Sequence, residues 1–197
     1  MMKKLIIGAI IAATGIAASG LAIGGEYEHE YGERGERGEH EGYGNRYGFR
    51  RPDVAPVKYA LYQNECGSCH FAYQPGLLPA ASWWKIMDGL ADHFGENAEL
   101  DADTDKQLRG FLTANAADHV NTGRSPGIVN SLRGSTPLRI TDTLYFRRQH
   151  SEIPPRMVKN NPQVGSFSRC DVCHSGANNG SYDEDSVRIP GMGQWDD

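Results

Sequence analysis

The sequence has few cysteines, little hydrophobic material and no excess of basic charge. All four cysteines of the 197 residues fall in two short motifs. The net charge is −5, and a chain that lost Lys3 and Lys4 by processing would carry −7, which argues against nucleic acid as a partner. Hydrophobic residues make up 39% of the chain and the mean hydropathy is −0.56. Such a lean core usually needs a metal or a cofactor to stabilise it.

The N-terminus has the pattern of an export signal. Lys3 and Lys4 precede an uncharged run from Leu5 to Gly25, which is rich in Ile, Ala and Gly and contains small residues suited to cleavage. This pattern predicts a signal peptide over residues 1–22 and a periplasmic location for the mature chain. The run is also just long enough to span a bilayer, so an uncleaved membrane anchor is the alternative.

The segment from 26 to 50 lacks apolar aliphatic residues altogether. It repeats Gly, Glu, Arg, Tyr and His in short units, and without apolar burial nothing offsets the conformational entropy lost on folding. We therefore predict a low-complexity flexible tether over residues 23–52. His29 and His40 are interpreted as solvated side chains of this tether.

Two motifs of the form C-x-x-C-H contain all of the cysteines: Cys66–His70 and Cys170–His174. On a helix, positions i, i+3 and i+4 share one face, so two thiols and an imidazole converge. The thiols can bond the vinyl groups of a haem while the histidine binds its iron. A zinc site, a redox-active dithiol and plain disulfides are the alternatives, but none explains a histidine after each second cysteine.

The motifs predict two haem c groups, called haem 1 and haem 2 in chain order. Their predicted ligands form two equivalent sets. Cys66, Cys69, Cys170 and Cys173 would form the thioethers, and His70 and His174 would be the proximal iron ligands.

The distal ligands must come from the remaining histidines or methionines. His93 lies on the apolar stripe of a predicted helix and is favoured for haem 1. Few residues follow His174, so the ligand of haem 2 should precede Cys170, and His150 is favoured because aromatic residues adjoin it. The alternatives stay open: His119, Met87, Met157 and Met192.

The periodicity of the sequence predicts a mainly α fold. Helices are expected over 55–70 and 81–94, and from an N-cap at Asp101 to about Ala116. After residue 117 helical periodicity fades, and residues 120–170 carry a net charge of +6, whereas residues 88–106 carry −6. We therefore predict a boundary near Asp118 between a haem 1 domain at 53–118 and a loop-rich, irregular haem 2 domain at 119–197.

The basic residues between 120 and 170 also have a predicted use, because two haems bring four propionate groups. Arginine binds carboxylates through paired hydrogen bonds. Arg139, Arg147 and Arg148 are the candidates, and a solvated or docking basic face is the alternative.

Several longer segments resemble one known family. They are Cys66–His70, Gln74–Pro79, Ser82–Trp84, Asp92–Gly95, Leu138–Thr141 and Arg147–His150. From about residue 53 to 190 the chain resembles the small bacterial dihaem cytochrome c family (DHC type). The resemblance implies bis-histidine ligation, with His93 opposite His70 and His150 opposite His174. It also implies a class I cytochrome c-like first domain and, as redox partners, a membrane b-type cytochrome and another small c-type haem protein.

Two six-coordinate haems predict an electron carrier and not an enzyme. A dihaem peroxidase would need one iron with an open distal position, and here three histidines are available for two sites. A third hypothesis is a protein that donates haem or senses a small ligand. Covalent attachment argues against a haem donor, and no signalling domain is evident for a sensor.

Overall fold

The computed structural model describes residues 52–194. The predicted signal peptide and all of the predicted tether except Pro52 lie outside these residues. Within the described range, no helix is both long enough and apolar enough to cross a membrane.

The described chain is mainly helical, as the periodicity predicted. Its α-helices are α1 (Ala60–Glu65), α2 (Ala80–Asp88), α3 (Ala102–Ala114), α4 (Ser125–Leu132), α5 (Leu144–Gln149), α6 (Pro155–Val158) and α7 (Cys170–Cys173). Single 3₁₀ turns lie at Pro75–Leu77, Leu90–Asp92, Ile140–Asp142, Ala177–Asn179 and Glu184–Ser186. Strands β1 (Arg188–Ile189) and β2 (Gly193–Gln194) form an antiparallel hairpin with Ile189 opposite Gly193.

Helix α3 follows the prediction closely. The Asp101 carboxylate accepts hydrogen bonds from the backbone N–H groups of Asp103 and Thr104, both at 3.0 Å, so it caps the helix as expected. Leu108 and Leu112 are fully buried on the face that packs against α2. The local signals and the packing therefore agree in this helix.

The first two helices are shorter than predicted. Helix α1 begins at Ala60 rather than Ala55, because the backbone is still extended at Tyr59 (φ −106°, ψ 104°) and Val57 is buried in the core. Helix α2 ends at Asp88, and Gly89 closes it with a hydrogen bond to Ile86. His93, predicted to lie on this helix, instead follows the Leu90–Asp92 turn.

Three hydrophobic clusters form the core of the described residues. The first joins α1, α2 and α3 through Val57, Tyr62, Leu78, Trp83, Met87, Leu108, Leu112 and Ala116. The second contains Val54, Leu77, Ala117 and Ile128, and so draws residues from both sides of position 118. The third contains Val158, Val164, Val187 and Ile189. The two C-x-x-C-H motifs lie next to the first and third clusters, since Cys66 packs against one and Cys173 against the other.

Candidate functional site

The first C-x-x-C-H motif follows α1 as a series of turns. The expected helical face is therefore absent here, and Cys66 serves as the C-cap of the helix. Gly67 is required by a close approach, because a Cβ at this position would lie 2.2 Å from the carbonyl oxygen of Gln63. The second motif does form a helical turn, α7, and His174 lies immediately after it.

The structure brings His70 and His93 together. Their ring centroids are 6.1 Å apart and their planes differ by 24°. His70 Nδ1 lies 2.7 Å from the carbonyl oxygen of Phe71. His93 is held in a tight turn by two backbone hydrogen bonds with Glu96, at 2.7 and 3.3 Å.

That turn has an unusual backbone. Phe94 has φ +58° and Gly95 has φ +105°. A bulky side chain in the left-handed region is strained, and such strain is often found beside functional groups. The guanidinium of Arg139 lies 3.9 Å from the Phe94 ring centre, so a cation–π contact covers the strained residue.

The structure also brings His150 and His174 together. Their ring centroids are again 6.1 Å apart, with the planes at 78°. His150 follows α5, its Nδ1 lies 3.0 Å from the Phe146 carbonyl oxygen, and its ring stacks on Phe146 at 3.9 Å. His174 is fixed by a backbone hydrogen bond to Cys170 at 2.9 Å and by a bridge to Val187.

Both separations fit one metal ion between two imidazoles. An imidazole nitrogen binds a metal at about 2.0 Å and lies about 1.1 Å from its ring centre, so two rings on opposite sides of the metal have centroids about 6.2 Å apart. The observed 6.1 Å in each pair matches this value. Each pair contains one histidine from a C-x-x-C-H motif.

A cavity of about 310 Å³ adjoins the second pair. It is lined by His150, His174, Cys170 and Cys173, and by apolar residues that include Phe146, Ile153, Val158, Val164, Phe167, Val187 and Ile189. An apolar disc with two vinyl groups would therefore meet both thiols, both imidazoles and a hydrophobic wall. The first pair lies on a more open face, where Cys69 and His70 are exposed.

Burial sets the protonation states in these sites. It lowers the pKa of His174 to about 4, with the nearby His150 and Arg124 contributing, and it also lowers the pKa values of His93 and His150. Neutral imidazole, the form that binds metals, is therefore favoured at neutral pH. Burial raises the pKa of Cys66 to about 11 and that of Cys170 to about 12. Both thiols are therefore protonated at neutral pH as long as no group is bonded to them.

The described residues offer little support for the other uses of cysteine. None of the four cysteines lies in a disulfide between residues 52 and 194. No group of three or more His, Cys, Asp or Glu side chains in that range is arranged to hold a bare metal ion.

The remaining candidate ligands lie elsewhere. His119 is exposed, and its Nδ1 lies 2.6 Å from the Thr113 carbonyl oxygen at the end of α3, where a cation would suit the helix dipole. Met87 is buried in the first cluster, Met157 packs against the third, and Met192 is exposed.

Comparison with known proteins decides the family. A sequence model described as dihaem cytochrome c matches residues 62–182. The chain belongs to the dihaem cytochrome c family. It therefore carries two haem c groups and transfers electrons between redox partner proteins.

Solved structures agree with this assignment. A dihaem c-type cytochrome from Shewanella baltica OS155 is 44% identical, with a TM-score of 0.58 over 70% of this chain and 97% of that one. Dihaem cytochrome c from Rhodobacter sphaeroides is 41% identical, with a TM-score of 0.56 over 66% and 100% of the two chains. A second structure from Rhodobacter sphaeroides is 39% identical, with a TM-score of 0.53 over 64% and 99%. The search of curated proteins returned no match.

The arginines of the cytochrome divide between its two sites. Arg139 contacts Phe94, the residue after His93 of the first histidine pair. Arg148 lines the cavity beside the second pair, His150 and His174. Arg147 is exposed and lies 3.8 Å from Asp142. Arg124 and Arg169 were not singled out from the sequence, yet both line the cavity, and Arg124 forms an ion pair with Asp53 at 3.0 Å.

Two tyrosines of the cytochrome were also missed. The Tyr73 ring lies 5.2 Å from the His70 ring, and the Tyr182 ring lies 5.3 Å from the His174 ring. Neither stands in a recognisable motif. The spacing of Tyr73, three residues after His70, is the only local signal that could have suggested it.

Proposed function

We propose that the chain is an exported, periplasmic electron carrier in which both haem irons have two histidine ligands. Haem 1 would bond Cys66 and Cys69 and lie between His70 and His93. Haem 2 would bond Cys170 and Cys173 and lie between His174 and His150. The observation that carries the proposal is that, at each C-x-x-C-H motif, a second imidazole lies with its ring centroid 6.1 Å from that of the motif histidine.

The chain's own residues hold and orient these ligands. A haem supplies a reversible one-electron couple whose potential depends on its axial ligands. The backbone carbonyls of Phe71 and Phe146 orient the rings of His70 and His150 through Nδ1, which leaves Nε2 free for the iron. The apolar wall of the cavity limits the access of water to haem 2. Two imidazoles keep the potential below that of a His/Met cytochrome, because a thioether favours the reduced iron.

The same ligand pairs support a carrier rather than an enzyme. A peroxidase needs an iron with a free or displaceable distal position, and here a second imidazole faces each motif histidine. Carbon monoxide added to the reduced protein should therefore bind neither iron. Rapid, stoichiometric binding would favour the enzyme.

The location, the domain boundaries and the redox partners of the chain are part of the same proposal. The export signal at 1–22 would place the mature chain in the periplasm, with the tether at 23–52 preceding a haem 1 domain at 53–118 and a haem 2 domain at 119–197. The proposed redox partners are a membrane b-type cytochrome and another small c-type haem protein, which the family suggests.

Two measurements on the exported protein test the proposal. Mass spectrometry should show two covalently added porphyrins and cleavage near residue 22. Electron paramagnetic resonance of the oxidised protein should show low-spin signals typical of two imidazole ligands for both irons. A methionine-to-iron charge-transfer band, or a high-spin iron at neutral pH, would contradict the ligand assignment.

A further inference from the structure

Two tyrosines each touch one motif histidine and reach towards the other motif. Tyr73 packs its ring 5.2 Å from that of His70, and Tyr182 packs its ring 5.3 Å from that of His174. The same type of contact therefore occurs at both proposed haem sites.

The hydroxyl of Tyr73 extends to the second motif. It donates a 2.7 Å hydrogen bond to the carbonyl oxygen of Ser168, two residues before Cys170. The Cys170 sulfur lies 3.8 Å from the same carbonyl oxygen. One side chain thus joins the ring of His70 to the backbone beside the second thiol pair.

The hydroxyl of Tyr182 extends the opposite way. It donates to Oε1 of Gln74, the residue after Tyr73. Gln74 is only 1% exposed, and its Nε2 donates a 2.6 Å hydrogen bond to the carbonyl oxygen of Ala177. Gln74 therefore receives Tyr182 and is itself anchored three residues beyond His174.

Together, Tyr73, Gln74 and Tyr182 form a hydrogen-bond network that joins the two motifs in both directions. The two tyrosine hydrogen bonds are partly buried, so breaking them is costly because the separated groups regain only part of their contact with water. Each tyrosine ring packs beside the histidine of one motif, while its hydroxyl donates a hydrogen bond to a residue near the other motif. A change in the spacing of the two motifs would have to break these bonds.

We propose that Tyr73 and Tyr182 are positioning residues that fix the separation of the two haem sites and so set the rate of electron exchange between them. The inference rests on the proposed ligation. In the exchange one iron is oxidised by one electron and the other is reduced by that electron. The exchange moves one electron and no proton, and neither phenol is oxidised.

Phenylalanine variants remove the hydroxyl and keep the ring. Tyr73→Phe, Tyr182→Phe and the double variant should retain low-spin signals for both irons, because the imidazole contacts remain. Pulse radiolysis of the half-reduced protein should show slower exchange between the haems, severalfold in the double variant. The magnetic interaction between the two oxidised irons, measured by pulsed electron paramagnetic resonance, should become weaker or more widely distributed.

Tyr59→Phe is the matched control. The Tyr59 hydroxyl also donates a hydrogen bond, but to Gln107 at an exposed position. This variant should leave both the exchange rate and the magnetic interaction unchanged. If the double variant does not assemble, the two single variants are compared with Tyr59→Phe instead, since each of them keeps one of the two tyrosine hydrogen bonds.

The outcomes separate the two proposals. Exchange rates and magnetic interactions that match the control in the Tyr73 and Tyr182 variants would overturn the positioning role, while bis-imidazole spectra would leave the proposed function standing. Wild-type spectra without two low-spin, bis-imidazole irons would instead overturn the ligation itself.

Discussion

Replacing His150 with alanine should open one haem and leave the other closed. The His150 ring lies 6.1 Å from that of His174, and among residues 52–194 no methionine and no third histidine lines the adjoining cavity. Without a replacement ligand, haem 2 should become high-spin, so the low-spin signal should fall by half. The reduced variant should bind one carbon monoxide per chain, whereas the wild type should bind none.

Haem 1 should be unaffected by this change. His70 and His93 are held by hydrogen bonds to Phe71 and Glu96, whereas His150 is held by Phe146, so the loss of this one imidazole should change the ligation of haem 2 alone. The spectrum of the variant should therefore be the sum of one high-spin and one low-spin haem. Spin quantitation by electron paramagnetic resonance, with optical titration by carbon monoxide, measures both parts.

His119→Ala is the control for this experiment. His119 is exposed, contacts Thr113 and does not line the cavity, so this variant should keep two low-spin irons. The reasoning fails if His150→Ala leaves both irons low-spin, or if it turns both high-spin. The first result would point to another ligand, and the second would show that the sites are not independent.

Two further changes test other parts of the structure. Gly67→Ala should lower the free energy of unfolding by about 2 kcal/mol, because its Cβ would lie 2.2 Å from the Gln63 carbonyl oxygen. Guanidinium titration measures this, and Gly110→Ala, which meets nothing within 4 Å in α3, should be neutral or stabilising. His93→Met should raise the reduction potential of one haem and leave that of the other unchanged, since a thioether favours reduced iron. Two reduction potentials equal to those of the wild type in a potentiometric titration would argue against His93 as a ligand.

The success and failure of the helix predictions have physical causes. Helix α3 was predictable because its cap at Asp101 and its apolar spacing at Leu108 and Leu112 are local signals that the packing reinforces. Helix α2 was predicted too long because Ile86, Leu90 and His93 continue its apolar stripe, while Gly89 ends the hydrogen bonding. The late start of α1 depends on the burial of Val54 and Val57 against distant residues, which no local pattern reveals.

The sequence by itself determined the attachment chemistry. Two thiols and an imidazole within five residues predict a covalent haem site, and they occur twice, in agreement with the two haem c groups of the family. The tertiary structure decided what faces each motif histidine, because His93 and His150 reach their partners only when separate segments fold together. It also decided that Tyr73 and Tyr182 link the two sites, since their hydrogen bonds join residues about a hundred positions apart. The C-x-x-C-H motifs are local and can be recognised from the sequence, whereas the distance between two histidines from separate segments depends on tertiary packing.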